Sequence, residues 1–103
     1  MVISGGENIY CAEVERVMSL LPEVGECAAF GMPDERLGER LVAVVVASGL
    51  DEDCIRHHVG EHLARYKAPV RVGVSKEPLP RNPIGKIDKN RLRALWPHLA
   101  GDQ

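Results

Sequence analysis

Seven consecutive apolar residues, Leu41-Val42-Ala43-Val44-Val45-Val46-Ala47, constrain this chain more than any other segment. The run is rich in β-branched side chains and carries no polar one, so it reads as a central strand covered on both faces. Whatever surrounds it has to supply a layer on each side.

Helical periodicity supplies candidates for those layers. Val14, Val17, Met18 and Leu21 fall at i, i+3, i+4 and i+7, one apolar helix face that Pro22 ends. Ile55, Val59, Leu63 and Tyr66 space as a second amphipathic helix closed by Pro69. Asp88 is placed to cap a third helix, with Leu92, Leu95, Trp96 and Leu99 on one face and Pro97 bending or ending it. Between Gly25 and Gly31 the segment Glu-Cys-Ala-Ala-Phe reads as a short buried strand, and Pro33, Asp34 and Gly38 mark a turn. Val70, Val72 and Val74 alternate with Arg71 and Gly73 as a half-exposed strand. The expected fold is therefore α+β: a small three-stranded sheet flanked by helices, with an N-terminal glycine loop and a C-terminal lysine-bearing loop.

Bulk properties narrow the function classes. A length of 103 residues fits one domain, and 45% hydrophobic with 27% charged residues is ordinary globular composition. Cys11, Cys27 and Cys54 form no Cys-x-x-Cys pair, so neither a zinc site nor a disulfide framework is expected, and a reducing, cytoplasmic setting fits. The longest apolar run is far too short to span a membrane, and the N-terminus lacks the pattern of a signal peptide. Residues 1–64 hold four basic and twelve acidic residues, whereas residues 65–103 hold nine basic and three acidic. That asymmetry fits an anionic ligand, and equally a solvated face that offsets the acidic half.

Two segments do not read as packing. In Ile3-Ser4-Gly5-Gly6-Glu7-Asn8-Ile9-Tyr10 the paired glycines open a backbone path closed to other residues, either as a tight turn or as a surface for close approach. In Pro80-Arg81-Asn82-Pro83-Ile84-Gly85-Lys86 three prolines from Pro78 to Pro83 stiffen a loop that can aim Lys86 as a point charge. His58 and His62 share a spacing that can bind zinc, but no glutamate follows His58 and no further ligand is evident, so no metal site is expected.

Taken together, Ile-Ser-Gly-Gly-Glu-Asn-Ile-Tyr-x-Ala-Glu-Val-Glu, Pro-Asp-Glu-Arg-x-Gly-Glu, Tyr-Lys-Ala-Pro and Leu-Pro-Arg-Asn-Pro-x-Gly-Lys-Ile resemble the C-terminal domain of acyl-CoA synthetases in the adenylate-forming superfamily. The resemblance runs from residue 2 to about residue 95, with the blocks in family order. It implies that residues 1–103 form the small mobile domain of an acid–CoA ligase whose large N-terminal domain lies outside this sequence. Enzymes of this family join a carboxylic acid to AMP, releasing pyrophosphate from ATP, and then pass the acyl group to the thiol of coenzyme A. The small domain turns between the two steps.

By the same resemblance Lys86 is the adenylation lysine, and Ser4, Gly5, Gly6 and Glu7 line the tunnel for the pantetheine arm of coenzyme A. ATP, Mg2+ and coenzyme A are implied, bound mainly by the N-terminal domain, with a fatty or aryl acid as substrate. Cys11 stands where proline is common and Ile84 where threonine or another small residue is usual in the family it resembles; neither touches the lysine or the glycines, and Cys11 reads as packing. The chain begins almost at the expected domain boundary, and the fragment alone is expected to be inactive.

Other readings remain beside this one. A domain that loads a carrier protein usually has an Arg-Gly-x-Arg-Ile-Glu type of segment where this chain has Ser-Gly-Gly-Glu-Asn-Ile-Tyr. A luciferase-like oxidoreductase is a further alternative. A nucleic-acid module would need aromatic residues among its basic ones, and Tyr66 and Trp96 are both expected on core faces, so no nucleic-acid partner is expected.

Overall fold

The computed structural model describes residues 1–100. Two short strands open it, β1 (Val2–Ser4) and β2 (Glu7–Ile9), followed by helix α1 (Cys11–Met18). Strands β3 (Val24–Asp34) and β4 (Gly38–Ala47) come next, then helix α2 (Glu52–His62), a 3-10 turn (Arg65–Lys67), strand β5 (Arg71–Ser75) and helix α3 (Lys89–Leu99).

The apolar run forms the centre of β4, and its alternation sorts the core into two layers. Leu41, Ala43, Val45 and Ala47 pack against Val14, Val17 and Met18 of α1 and Ile55 and Val59 of α2. Val42 and Val44 face the other way, onto Leu92 and Trp96 of α3 and Leu79 of the proline-rich loop. Trp96 meets Phe30 of β3 edge to face, with ring centroids 6.0 Å apart, a favoured aromatic geometry. Both faces of β4 are covered, as its composition requires.

Strand β4 pairs antiparallel with β3 along its whole length, from Asp34↔Gly38 to Val24↔Ala47. On its other edge it pairs in parallel with β5 through Val42–Val46, the connection passing through α2. Ser4 of β1 pairs with Gly38 at the start of β4, and β2 pairs with β1. Among the described residues the sheet thus has five strands rather than the three expected from the sequence. The additional pair is the segment read as a glycine loop, which is a hairpin closed by Gly5 and Gly6. Strands of three residues are too short for alternation to show, so they leave no period-two signal in the sequence.

Three local expectations also shift. The segment from Pro33 to Asp34 is the end of β3 rather than a turn. Pro33 sits on an edge strand, where its missing N–H interrupts no ladder. The turn itself is Glu35 to Leu37, shaped by Asp34 Oδ1 accepting from the Arg36 and Leu37 N–H groups. Helix α2 ends at His62, so Tyr66 lies in the 3-10 turn and is 48% exposed rather than on a core face. In β5 Val72 is buried but Val74 is exposed, while Gly73 is buried under the end of α3.

Candidate functional site

The glycine hairpin owes its shape to backbone conformation. Ser4 pairs with Glu7, leaving Gly5 and Gly6 as a two-residue turn with φ of 58° and 85°. Positive φ at both central positions is the primed turn that matches strand twist, and glycine adopts it without strain. Among the described residues a Cβ at Gly6 would meet nothing within 4 Å, and one at Gly5 would meet only Leu37 Cδ2 at 3.3 Å. The chain's own packing therefore does not demand both glycines, and Gly6 leaves a bare backbone facing open space. The hairpin is fixed to the turn between β3 and β4. Gly5 N–H donates to the Leu37 carbonyl at 3.0 Å, and Ile3 N–H donates to Glu39 Oε1 at 3.0 Å. Ser4 is half-buried, while Gly5, Gly6 and Glu7 are exposed.

The lysine loop is stiff for reasons beyond its prolines. Asn82 Oδ1 accepts from the N–H groups of Ile84 at 3.1 Å and Lys86 at 3.0 Å. Asn82 N–H donates to the Lys86 carbonyl at 2.8 Å and Gly85 N–H donates to the Asn82 carbonyl at 2.9 Å. Gly85 turns the chain at φ 88°, a left-handed value that suits glycine. Arg81 bridges to Ile87 across the loop, and Asp88 N–H donates to the Pro80 carbonyl at 2.9 Å. Asp88 then caps α3, its Oδ1 accepting from Arg91 N–H at 3.1 Å, as its position in the sequence predicts. Lys86 is exposed, and its ammonium makes no hydrogen bond or ion pair among the described residues. Beside it Ile84 is 77% exposed. The loop therefore presents an ordered backbone with an uncommitted cation at its tip.

Other cations of the basic C-terminal third are ion-paired. Lys67 pairs with Glu13, Arg71 with Glu52, Arg81 with Glu26, and Lys89 with Glu15. In each pair the base comes from residues 65–103 and the acid from residues 1–64, so much of the charge asymmetry is internal complementarity. Glu15 also caps the free edge of β3, its Oε2 accepting from Ala29 N–H at 2.8 Å. Such cover keeps an edge strand from pairing with another chain.

The two loops are attached at different places. Ser4 pairs with Gly38, whereas the lysine loop is tied to Glu26, whose partner on β4 is Val46. Eight residues of strand separate those anchor points, about 27 Å at strand rise. Among the described residues no hydrogen bond or ion pair joins the loops.

The histidine pair is occupied otherwise. His58 Nε2 donates to the Val17 carbonyl at 2.8 Å, closing the end of α1, and His62 Nδ1 donates to the His58 carbonyl at 2.9 Å. No group of three possible metal ligands occurs among the described residues. Cys11 and Cys27 are half-buried; burial raises both thiols, Cys27 to about 11. Cys54 is exposed, but the adjacent Asp51 carboxylate, which disfavours the thiolate, raises it as well. None of the three therefore has the depressed value of an activated thiol nucleophile. No helix among the described residues is long and apolar enough to cross a membrane.

Glu26 was not legible as part of this site. It lies 53 and 55 residues from its two partners, Leu79 and Arg81, in a segment that reads as an ordinary strand.

A family model described as the AMP-binding enzyme C-terminal domain matches residues 13–86. Over 98 residues the chain is 50% identical to a long-chain-fatty-acid–CoA ligase, FadD13, of Mycobacterium tuberculosis, covering 93% of this chain and 19% of that protein. It is 44% identical to an indoleacetate–CoA ligase of Aromatoleum aromaticum over 92% of this chain and 19% of that one. The ATP-bound crystal structure of MatB from Rhodopseudomonas palustris superposes with a TM-score of 0.86 at 37% identity, covering 93% of this chain and 20% of that one. The chain belongs to the family of AMP-binding enzyme C-terminal domains. It spans about a fifth of the length of the relatives it matches.

Proposed function

We propose that this chain is the small domain of an ATP-dependent acid–CoA ligase and that Lys86 is its adenylation lysine. The observation that carries the reading is the uncommitted ammonium of Lys86 on a hydrogen-bonded loop, in a chain half identical to a fatty-acid–CoA ligase. ATP, Mg2+ and coenzyme A bind chiefly on the large N-terminal domain. This chain contributes one positive charge to the first step and a channel wall to the second.

In the first step the acid's carboxylate attacks the α-phosphorus of ATP, the bond to the β-phosphate oxygen breaks, and pyrophosphate leaves. Negative charge crowds between the incoming carboxylate and the α-phosphoryl oxygens. An ammonium already held in place stabilises that arrangement more than reorganising water does. Phosphoryl chemistry of this kind asks mainly for positioning and charge, and the Asn82 contacts supply the positioning by fixing the backbone at Lys86.

In the second step the thiol of coenzyme A attacks the acyl carbon and AMP leaves. Ser4, Gly5, Gly6 and Glu7 form the wall along which the pantetheine arm lies. The exposed turn offers a bare backbone at Gly6, which suits close approach of a thin extended chain. The separate anchoring of the two loops supports a domain that turns to present one, then the other.

The acid is fatty or aryl, since its pocket belongs to the large domain and the relatives' names include both a long-chain fatty acid and indoleacetate. A reducing cytoplasm suits the three unpaired thiols. The test is ATP-dependent turnover by the full-length protein against a panel of aliphatic and aryl acids, with coenzyme A or a phosphopantetheinyl carrier protein as acceptor. Thioester on coenzyme A supports the reading. Thioester formed only on the carrier contradicts it, and so does ligase activity by residues 1–103 alone.

A further inference from the structure

The loop bearing Lys86 is fastened across the fold to a single carboxylate. Glu26 of β3 accepts the Leu79 N–H through Oε1 at 2.9 Å, and its Oε2 pairs with Arg81 Nη2. The same guanidinium donates through Nη1 to the Gly85 carbonyl at 2.8 Å. That carbonyl belongs to the peptide unit that enters Lys86. A line of charge-assisted hydrogen bonds therefore runs from the sheet to the peptide plane setting the direction of the lysine side chain. Such bonds are the shorter and stronger ones in proteins.

The clamp acts where the loop is softest. Gly85, at φ 88°, has more conformations open to it than any other residue type. Asn82 holds the inner side of the turn from within the loop, but among the described residues only Arg81 ties the Gly85 carbonyl, and only Glu26 ties Arg81 to the sheet. The Arg81 side chain is 48% exposed and that of Glu26 23%. A pair this open contributes little to global stability, so direction rather than stability is what it provides. The Glu26 carboxyl lies below the usual carboxylate range because the Leu79 N–H, and then Arg81, favour its ionised form.

We propose that Glu26 is a positioning residue for Lys86, acting through Arg81 on the Gly85 carbonyl, and that it governs the adenylation step without touching the reacting atoms. The proposal rests on the reading of Lys86 given above.

The test uses the full-length ligase with Glu26→Ala, Glu26→Gln, Lys86→Ala and the double variant Glu26→Ala/Lys86→Ala. Acid-dependent pyrophosphate release is followed separately from thioester formation starting with preformed acyl-adenylate. Misplacing a reacting group by an ångström costs on the order of a hundredfold in rate. Glu26→Ala is accordingly expected to lower kcat of the first step roughly tenfold to a hundredfold, with KM for ATP and the second step held within about twofold. Glu26→Gln keeps an acceptor for the Leu79 N–H but loses the charge on Arg81, and falls between wild type and Glu26→Ala. The double variant is no slower than Lys86→Ala, because the two residues act as one unit.

An unchanged first step in Glu26→Ala overturns the proposal. So does a loss in the double variant equal to the product of the single losses. Should Glu26→Ala damage both steps alike through misfolding, the near-isosteric Glu26→Gln decides, and an equal loss in both of its steps also overturns the proposal. A full first step in Lys86→Ala is a different result: it removes the reading of Lys86, and the positioning role with it.

Discussion

Replacing Gly73 by alanine tests the packing of α3 against the sheet. A Cβ at Gly73 would lie 2.5 Å from the Leu99 carbonyl oxygen and 3.0 Å from the Leu99 carbonyl carbon. Carbon–oxygen contacts settle at about 3.3 Å or more, so the last turn of α3 or β5 itself must yield by roughly 0.8 Å. Both obstructing atoms are backbone, and no rotamer change relieves them. The Arg71 Nη2 bond to the Ala100 carbonyl, 2.9 Å long, sits on the same turn and resists the shift. Overpacking of this kind costs about 1–3 kcal/mol, and each kcal/mol lowers Tm by about 4–8 °C in a domain of this size. Urea denaturation of residues 1–103 reads the change as a lower midpoint with an unaltered slope. Gly60→Ala is the control of opposite sign. Gly60 lies within α2 with nothing within 4 Å of its added Cβ, and alanine there stabilises by about 0.4–1 kcal/mol. A Gly73→Ala chain as stable as wild type would refute the contact between α3 and β5.

Gly6→Ala is expected to destabilise by about 1–2 kcal/mol, the backbone cost of the left-handed conformation, and Gly6→Asn by less; equal stability of all three in thermal melts would contradict the primed turn. In a thiol-titration assay near pH 8, Cys27 is expected to react slowest, since burial raises its thiol to about 11; rapid labelling of Cys27 in the folded chain would show that the edge of β3 is open. The carboxyls of Asp34, Asp51 and Glu26 lie below their ordinary values, held down first by the N–H groups of Leu37, Cys54 and Leu79 respectively. Their folded values are thus below their unfolded ones, so the stabilisation is complete only above about pH 5, past the unfolded values, and is lost as pH falls through the folded ones. Urea midpoints should drop in acid, and Asp51→Asn should flatten part of that drop; a midpoint constant from pH 5 to about pH 2.5 would contradict the assignment.

What the sequence discloses about this fold follows the length of each signal. The run from Leu41 to Ala47 identifies β4 because a two-sided core demands unbroken apolarity, and the faces of α1 and α3 follow from spacings that persist over two turns or more. Strands β1 and β2 offer three residues each. Their only signature is the Gly-Gly pair, which in isolation fits a bare loop as well as a hairpin turn. Tyr66 continues the spacing of α2 in the sequence, yet the chain leaves the helix at Leu63, whose backbone is extended. The lysine loop was legible as a motif and as a proline-stiffened segment. Its fastening to Glu26 was not, because no local pattern links residues more than fifty positions apart.

The central claim, that Lys86 serves the first chemical step and the glycine hairpin the second, meets its most direct test in the Lys86→Ala form of the full-length protein. Pyrophosphate release from acid and ATP, and thioester formation from preformed acyl-adenylate, are measured side by side. The account predicts a loss of the first step by roughly a hundredfold or more with the second step intact. Equal rates for variant and wild type in both steps would make Lys86 an ordinary surface lysine and contradict the account.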